Sequence, residues 1–183
     1  MDLGRLLMRI LLGGLFVGHG TQKLFGWFGG GGPEQTTEMM ENVGLRPGRL
    51  HALVAGTAEA GSGVLLAAGA ATPLAAAGIS GVMFTAIRRI HWKNGPWTTN
   101  GGWESNGVIL GALAVLVETG PGRWSIDAAR GRIRRGSGWA LGALALGAAG
   151  SELAIRLGSS TGTEPTSEKS GERAGKAELR EAA

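Results

Sequence analysis

Apolar residues along this chain come in blocks on the scale of a bilayer. Residues 3–24, 50–71, 73–90 and 103–120 each approach the roughly 20 residues that carry a helix through a hydrocarbon core. A fifth block, 138–155, is rich in Ala and Gly, so its transfer energy is weaker. Three outcomes stay open for it: spanning, lying in the interface, or packing on the other helices. The pattern predicts an all-α integral membrane protein, an up-down four-helix bundle with a possible fifth helix. Gly56, Ala60, Gly61, Gly63 and Gly69 replace larger aliphatics in and beside the second block, and small side chains let helices approach closely in lipid. All six tryptophans (Trp27, Trp92, Trp97, Trp103, Trp124, Trp139) fall at or just outside a block end. An indole is half apolar and half hydrogen-bonding, so this is the placement of an interfacial belt.

Between the first two blocks, Gly29, Gly30, Gly31 and Gly32 make a joint, and Pro33 suits the first turn of a short helix running to about Val43, stopped by Gly44 and Pro47. Met39, Met40 and Val43 share one face of it. That face is expected to rest over the bundle mouth, a plain surface loop being the alternative. Arg5 and Arg9 open the first block as in a signal peptide, but no A-x-A site follows and the run leads into His19, Gly20, Thr21, Gln22 and Lys23, so it reads as an uncleaved first helix.

Composition narrows the function classes. Glycine supplies 35 of the 183 residues without a G-X-Y period, which excludes collagen. With no Cys, disulfide frameworks, thiolate metal sites, thiol redox relays and c-type haem attachment are excluded. The four-glycine run lacks the strand, the following Lys-Ser/Thr and the helix of a phosphate loop. Residues 158–183 carry five glutamates against four basic residues, with no aromatic side chain, and read as a disordered charged tail. Residues 1–158 hold 14 basic and 9 acidic residues. The basic ones flank apolar blocks and do not interleave with aromatics in a stripe, so nucleic acid is not an expected partner and the lipid bilayer is. With alternating helices, seven basic residues fall on the N-terminal side and six on the other, and the dense run from Arg130 to Arg135 in a short loop sets the N-terminus as cytoplasmic.

Alternating helices also bring ionisable residues to one mouth: His19 and Lys23 ending the first helix, His51 and the deeper Glu59 in the second, Arg88 and His91 ending the third, and Glu104 opening the fourth. His19 and Lys23 are i,i+4, and Arg88 and His91 are i,i+3, so each pair shares a face. A carboxylate near mid-span costs several kcal/mol unless it is protonated, paired or hydrated. Glu59 therefore needs a partner, with His19, Lys23 and Arg88 as candidates. The candidate ligand-binding set is His19, Lys23, Glu59, His91 and Glu104; the alternative is a buried ion-pair network that only sets helix register. His51 is read as structural, Arg88, Arg89 and Lys93 as headgroup snorkels, and Ser125 and Asp127 as a helix cap that ties down Arg123.

These residues carry a family resemblance. The chain resembles the DoxX family of membrane proteins. The resemblance rests on Gly4-Arg5-Leu6, His19-Gly20 with Lys23-Leu24-Phe25-Gly26, Glu59 with Gly61 and Gly63, and Ala86-Ile87 before His91. It continues through Asn94-Gly95, Gly101-Gly102 before Glu104, and the block from Gly120 to Asp127. It covers a DoxX-like four-helix bundle at 1–128; the basic loop and possible fifth helix at 129–157 and the tail at 158–183 lie outside it and are read by composition alone. It implies a multi-pass protein of the bacterial cytoplasmic (inner) membrane, in a family linked to thiosulfate and quinol oxidation and to redox partners. The function expected from it is a redox-linked subunit binding quinone or a small oxidised molecule at the polar mouth. A non-enzymatic scaffold or small-solute binding or permeation protein is the alternative. Electrons would come from a partner subunit; haem held by His19 and His91 is disfavoured, because no paired-His pattern on facing helices is legible. No metal site is expected.

Overall fold

The computed structural model describes residues 2–160; residues 161–183, and with them most of the expected tail, lie outside the described residues. Every apolar block is helical, since a backbone removed from water satisfies its N–H and C=O groups most simply within its own helix. In chain order the helices are α1 (Asp2–Phe25), α2 (Gly32–Asn42), α3 (Gly48–Ala68), α4 (Thr72–Ala86), α5 (Glu104–Thr119), α6 (Ile126–Ala129) and α7 (Ser137–Ser160). One wide turn, Ile87–His91, continues α4. Three helices, α1, α3 and α7, are long and apolar enough to cross a membrane. The 16 residues of α5 rise only about 24 Å, short of a hydrocarbon core of about 30 Å.

The bundle is greasier outside than in. Leu7, Leu11, Leu53, Val108, Leu141 and Leu153 are more than half exposed, whereas glycine, alanine, serine and threonine fill many contacts between helices. In water this arrangement would leave a large apolar surface unmatched; in lipid it is the expected polarity.

Glycine meshing fixes the register of the first pair of helices. A Cβ on Gly13 would lie 2.6 Å from the Gly63 carbonyl oxygen, and one on Gly20 would lie 2.6 Å from that of Gly56. The two contacts are seven residues apart on each helix and run in opposite directions, so α1 and α3 pack antiparallel with backbones in contact.

The architecture departs from the expected four-helix bundle. The fifth apolar block forms the 24-residue α7, which packs along α4 and also against α5. Its weak transfer energy is offset by fit: Gly147 lies against Ser80, Ala77 and Gly81, and Ser151 meets Thr85 at 2.9 Å. The constant offset of 66 residues in Gly81–Gly147 and Thr85–Ser151 shows α4 and α7 running parallel.

One end of the bundle gathers the start of α1, the turn between α3 and α4, and residues 120–136. Asp127 is its clasp, and its partners differ from those expected. Its carboxylate does not hold Arg123. It accepts hydrogen bonds from Ala71 N at 2.8 Å, Thr72 N at 3.0 Å and Thr72 Oγ1 at 2.9 Å, capping α4 from the first turn of α6. Free N–H groups at a helix start attract a carboxylate more strongly than an exposed guanidinium does. Arg123 pairs with Asp2 instead, at 3.4 Å. Ser125 does cap α6, accepting from Ala128 N at 3.1 Å. The other end gathers the close of α1, α2, the start of α3, residues 87–103 and the last turn of α7.

Candidate functional site

Lys23 lies in the last turn of α1 and Glu59 near the middle of α3. Helical side chains lean toward the N-terminus of their own helix. On antiparallel helices, Lys23 therefore leans inward and Glu59 leans outward, toward each other. The glycine contacts bring the helices near enough for them to meet, with Lys23 Nζ donating to Glu59 Oε2 at 2.6 Å. Glu59 is 3% exposed. Its desolvation is thus offset by an ion pair, and of the three candidate partners Lys23 is the one it takes.

This pair lines a cavity of about 770 Å³ walled by α2, α3, α4 and α7. Its α3 wall is a stripe, His51, Ala55, Glu59, Ser62 and Leu65, at helical spacing of three and four residues. The surface is mostly apolar. Met39 and Met40 of α2 reach it, as does Val43 just after the helix, so the short helix covers the cavity with its apolar face. Val54, Leu74 and Leu146 line it and are also more than half exposed, so the cavity opens sideways toward the apolar belt.

The remaining polar groups are few and placed. Thr85 donates to Ser151, and both line the cavity. Arg89, also a lining residue, donates from Nη2 to Ser159 Oγ, while its Nε is buried without a partner among the described residues. Arg88 pairs with Glu152, which Arg156 also holds at 2.6 Å. Arg46 N donates to the Gly158 carbonyl at 3.1 Å, and Gly158 packs on the buried His51. Together these contacts hold the last turns of α7 across the cavity.

The other sequence-predicted residues sit apart from the pair. Exposed His19 lies 3.2 Å from Gln22 Oε1 through Nδ1 and edge-on to Phe16. His91 Nδ1 lies 2.7 Å from the Gly101 carbonyl, and Glu104 accepts from Thr98 N at 3.0 Å. His91 and Glu104 thus organise residues 92–103, where Trp92 also stacks on Trp103. None of His19, His91 and Glu104 lines the cavity.

Sequence reasoning passed over His51, Arg89, Thr85 and Ser151. The first had a signal: eight residues before Glu59, it falls on the same helix face. Arg89 looked like a snorkel because nothing in the sequence shows α7 lying beside it.

Chemically, the wall offers an ammonium donor, a carboxylate able to exchange a proton and a guanidinium with donor capacity left, all beside apolar surface. That set can hold the polar head of an otherwise apolar molecule.

The DoxX family model matches residues 4–92. The match contains Lys23, His51, Glu59 and Arg89, and stops short of α5, α7, Glu104 and the block from Gly120 to Asp127. No curated protein and no solved structure matches the chain.

Proposed function

We propose, for a chain whose residues 4–92 form a DoxX domain, that it is a multi-pass membrane subunit holding a lipid-soluble oxidised molecule of quinone size beside Lys23 and Glu59. One observation carries this reading: the ion pair stands on the wall of a largely apolar cavity of about 770 Å³ that opens toward lipid. Small-molecule pockets are typically about 300–1,000 Å³, apolar with a few convergent polar groups. Lys23 and Arg89 donate to the head's oxygens, and Glu59 exchanges the proton that accompanies electron transfer. The electrons come from a partner subunit, because the chain has no cysteine and no flavin or nicotinamide fingerprint.

A second reading is favoured by the closeness of the Lys23–Glu59 contact: the pair fixes register and the protein is a scaffold or a small-solute protein. The double variant Lys23→Met/Glu59→Met separates the two. Replacing both partners of a buried pair by residues of similar volume is often neutral for folding. Titrating purified protein with a short-tailed quinone, read by tryptophan fluorescence, should show binding in wild type and a loss of at least about tenfold in the folded double variant, about 1.4 kcal/mol. Equal affinity in both, or no binding in wild type, rejects the quinone site.

The reading includes a topology in the bacterial cytoplasmic membrane. Counting its wide turn, α4 runs from Thr72 to His91, 20 residues and about 30 Å, and it parallels α7. With the short α5 crossing where the bilayer thins around it, five crossings follow, the N-terminus cytoplasmic and the end of α7 on the far side. Paired reporters, one active only in the cytoplasm and one only outside, should report opposite sides when fused at the two ends of the chain. The same side for both refutes five crossings.

A further inference from the structure

A different surface, at the end of the bundle opposite the cavity mouth, takes no part in holding a quinone. Arg130, Arg132, Arg134 and Arg135 are all exposed, and none has a carboxylate partner among the described residues. Arg134 lies over the Trp139 ring at 5.4 Å, and Arg123 over Trp124 at 4.8 Å. Ile126, Ile133, Trp124 and Trp139 are between 38% and 49% exposed on the same segment. Cations thus alternate with apolar side chains on one surface, the pattern of a segment that sits where headgroups meet acyl chains.

The backbone under them is tied down. Arg132 N donates to the Asp127 carbonyl at 2.8 Å, Asp127 N to the Gly69 carbonyl at 2.9 Å, and Gly136 N to the Glu118 carbonyl at 2.9 Å. The buried Arg9 adds a bond to the Trp124 carbonyl at 2.7 Å. An anchored segment loses less conformational freedom when it binds.

Pairing sharpens a charge asymmetry that a count of basic residues does not show. The end holding residues 120–136 has seven basic residues (Arg5, Arg9, Arg123, Arg130, Arg132, Arg134, Arg135) against three acidic ones (Asp2, Glu118, Asp127). Asp127 is buried in its capping role, Asp2 is held by Arg5 and Arg123, and Glu118 accepts from Ser137. At the other end seven basic residues meet six acidic ones, with Lys23, Arg88 and Arg156 in ion pairs.

We infer that residues 123–139 form a docking surface for anionic phospholipid headgroups, with Arg130, Arg132, Arg134 and Arg135 on the phosphodiesters and Trp124, Ile126, Ile133 and Trp139 in the upper acyl region. Charge complementarity selects this occupant over zwitterionic lipid, and the exposed apolar residues between the arginines select a leaflet over a soluble anion. Near an anionic surface each such cation contributes about a fivefold preference, falling off with ionic strength.

The test reconstitutes the full chain in discs of equal parts phosphatidylcholine and phosphatidylglycerol and measures the lipids it retains on mild detergent extraction. Wild type should retain phosphatidylglycerol over phosphatidylcholine by about fivefold or more. The variant Arg130→Gln/Arg132→Gln/Arg134→Gln/Arg135→Gln should return to the bulk ratio with an unchanged melting midpoint in phosphatidylcholine alone. A wild-type ratio equal to bulk, or enrichment that survives in the variant, overturns the inference. Loss of enrichment on adding inorganic phosphate, but not on adding chloride to the same ionic strength, also overturns it and assigns the arginines to a soluble anion.

Discussion

Asp127→Ala should sharply lower the folded protein in the membrane fraction, because one carboxylate both holds the start of α4 and faces the buried Arg9 of α1. It accepts three hydrogen bonds from Ala71 and Thr72, capping α4. It is also an electrostatic partner of Arg9, which is 1% exposed and whose Nε and Nη1 find no hydrogen bond among the described residues. Removing the carboxylate leaves two helix-start N–H groups unsatisfied and a buried cation uncompensated. Leaving buried donors without an acceptor costs about 1–3 kcal/mol each, and two or three of them are a large part of the roughly 5–15 kcal/mol that stabilises an ordinary domain. Size-exclusion chromatography and thermal melting of detergent-solubilised protein measure it. Asp127→Asn, which keeps an acceptor oxygen and loses the charge, should fall between wild type and the alanine variant. Normal folded levels of Asp127→Ala with lost ligand binding would move Asp127 from clasp to site.

Gly20→Leu should prevent α1 from docking on α3, and Gly20→Ala should already destabilise by about 1–3 kcal/mol, the usual cost of overpacking. A Cβ there falls 2.5 Å from the Ala60 nitrogen, and backbone cannot swing aside as a flexible side chain can. The control lies on the same helix. Gly14 and Gly18 have nothing within 4 Å of the place a methyl group would take, so Gly14→Ala and Gly18→Ala should be neutral or stabilising by about 0.5–1 kcal/mol, the ordinary helix preference of Ala over Gly. Melting midpoints of the four variants in one detergent are the measurement. Equal shifts at positions 18 and 20 would contradict the meshed interface. Because Lys23 depends on that interface to reach Glu59, Gly20→Ala should also weaken the quinone binding proposed above.

Much of this was legible along the chain, for reasons that differ by element. The helical blocks and the short helix at 32–42 follow from runs of apolar residues, from Pro33 in its first turn and from glycines at its margins. The tryptophans mark the bundle ends because an indole is stable where lipid meets water, whatever its neighbours are. That Glu59 needs a partner follows from its depth in an apolar segment alone. His91 and Glu104 look equally suited to the site, yet each meets a local backbone group, the Gly101 carbonyl and the Thr98 N–H, a few residues away. A short-range partner in an irregular loop is not visible in periodicity.

Local chemistry along the chain is thus enough to set the solvent of this protein, the places where it is helical and the obligation on Glu59. These are transfer and propensity effects, each settled within a few turns of helix. Three-dimensional packing was needed to make Lys23 the partner of Glu59, to turn Asp127 toward α4 and leave Arg123 to Asp2, and to lay α7 along the cavity and over Arg89. Each of those joins segments tens of residues apart, through contacts set by how closely two helices approach and in what register. Glycine and alanine permit many such approaches at nearly equal cost along the chain. The choice among them is made by steric fit between whole helix faces, as where Gly13 and Gly20 meet Gly63 and Gly56, and that fit exists only once the helices are side by side.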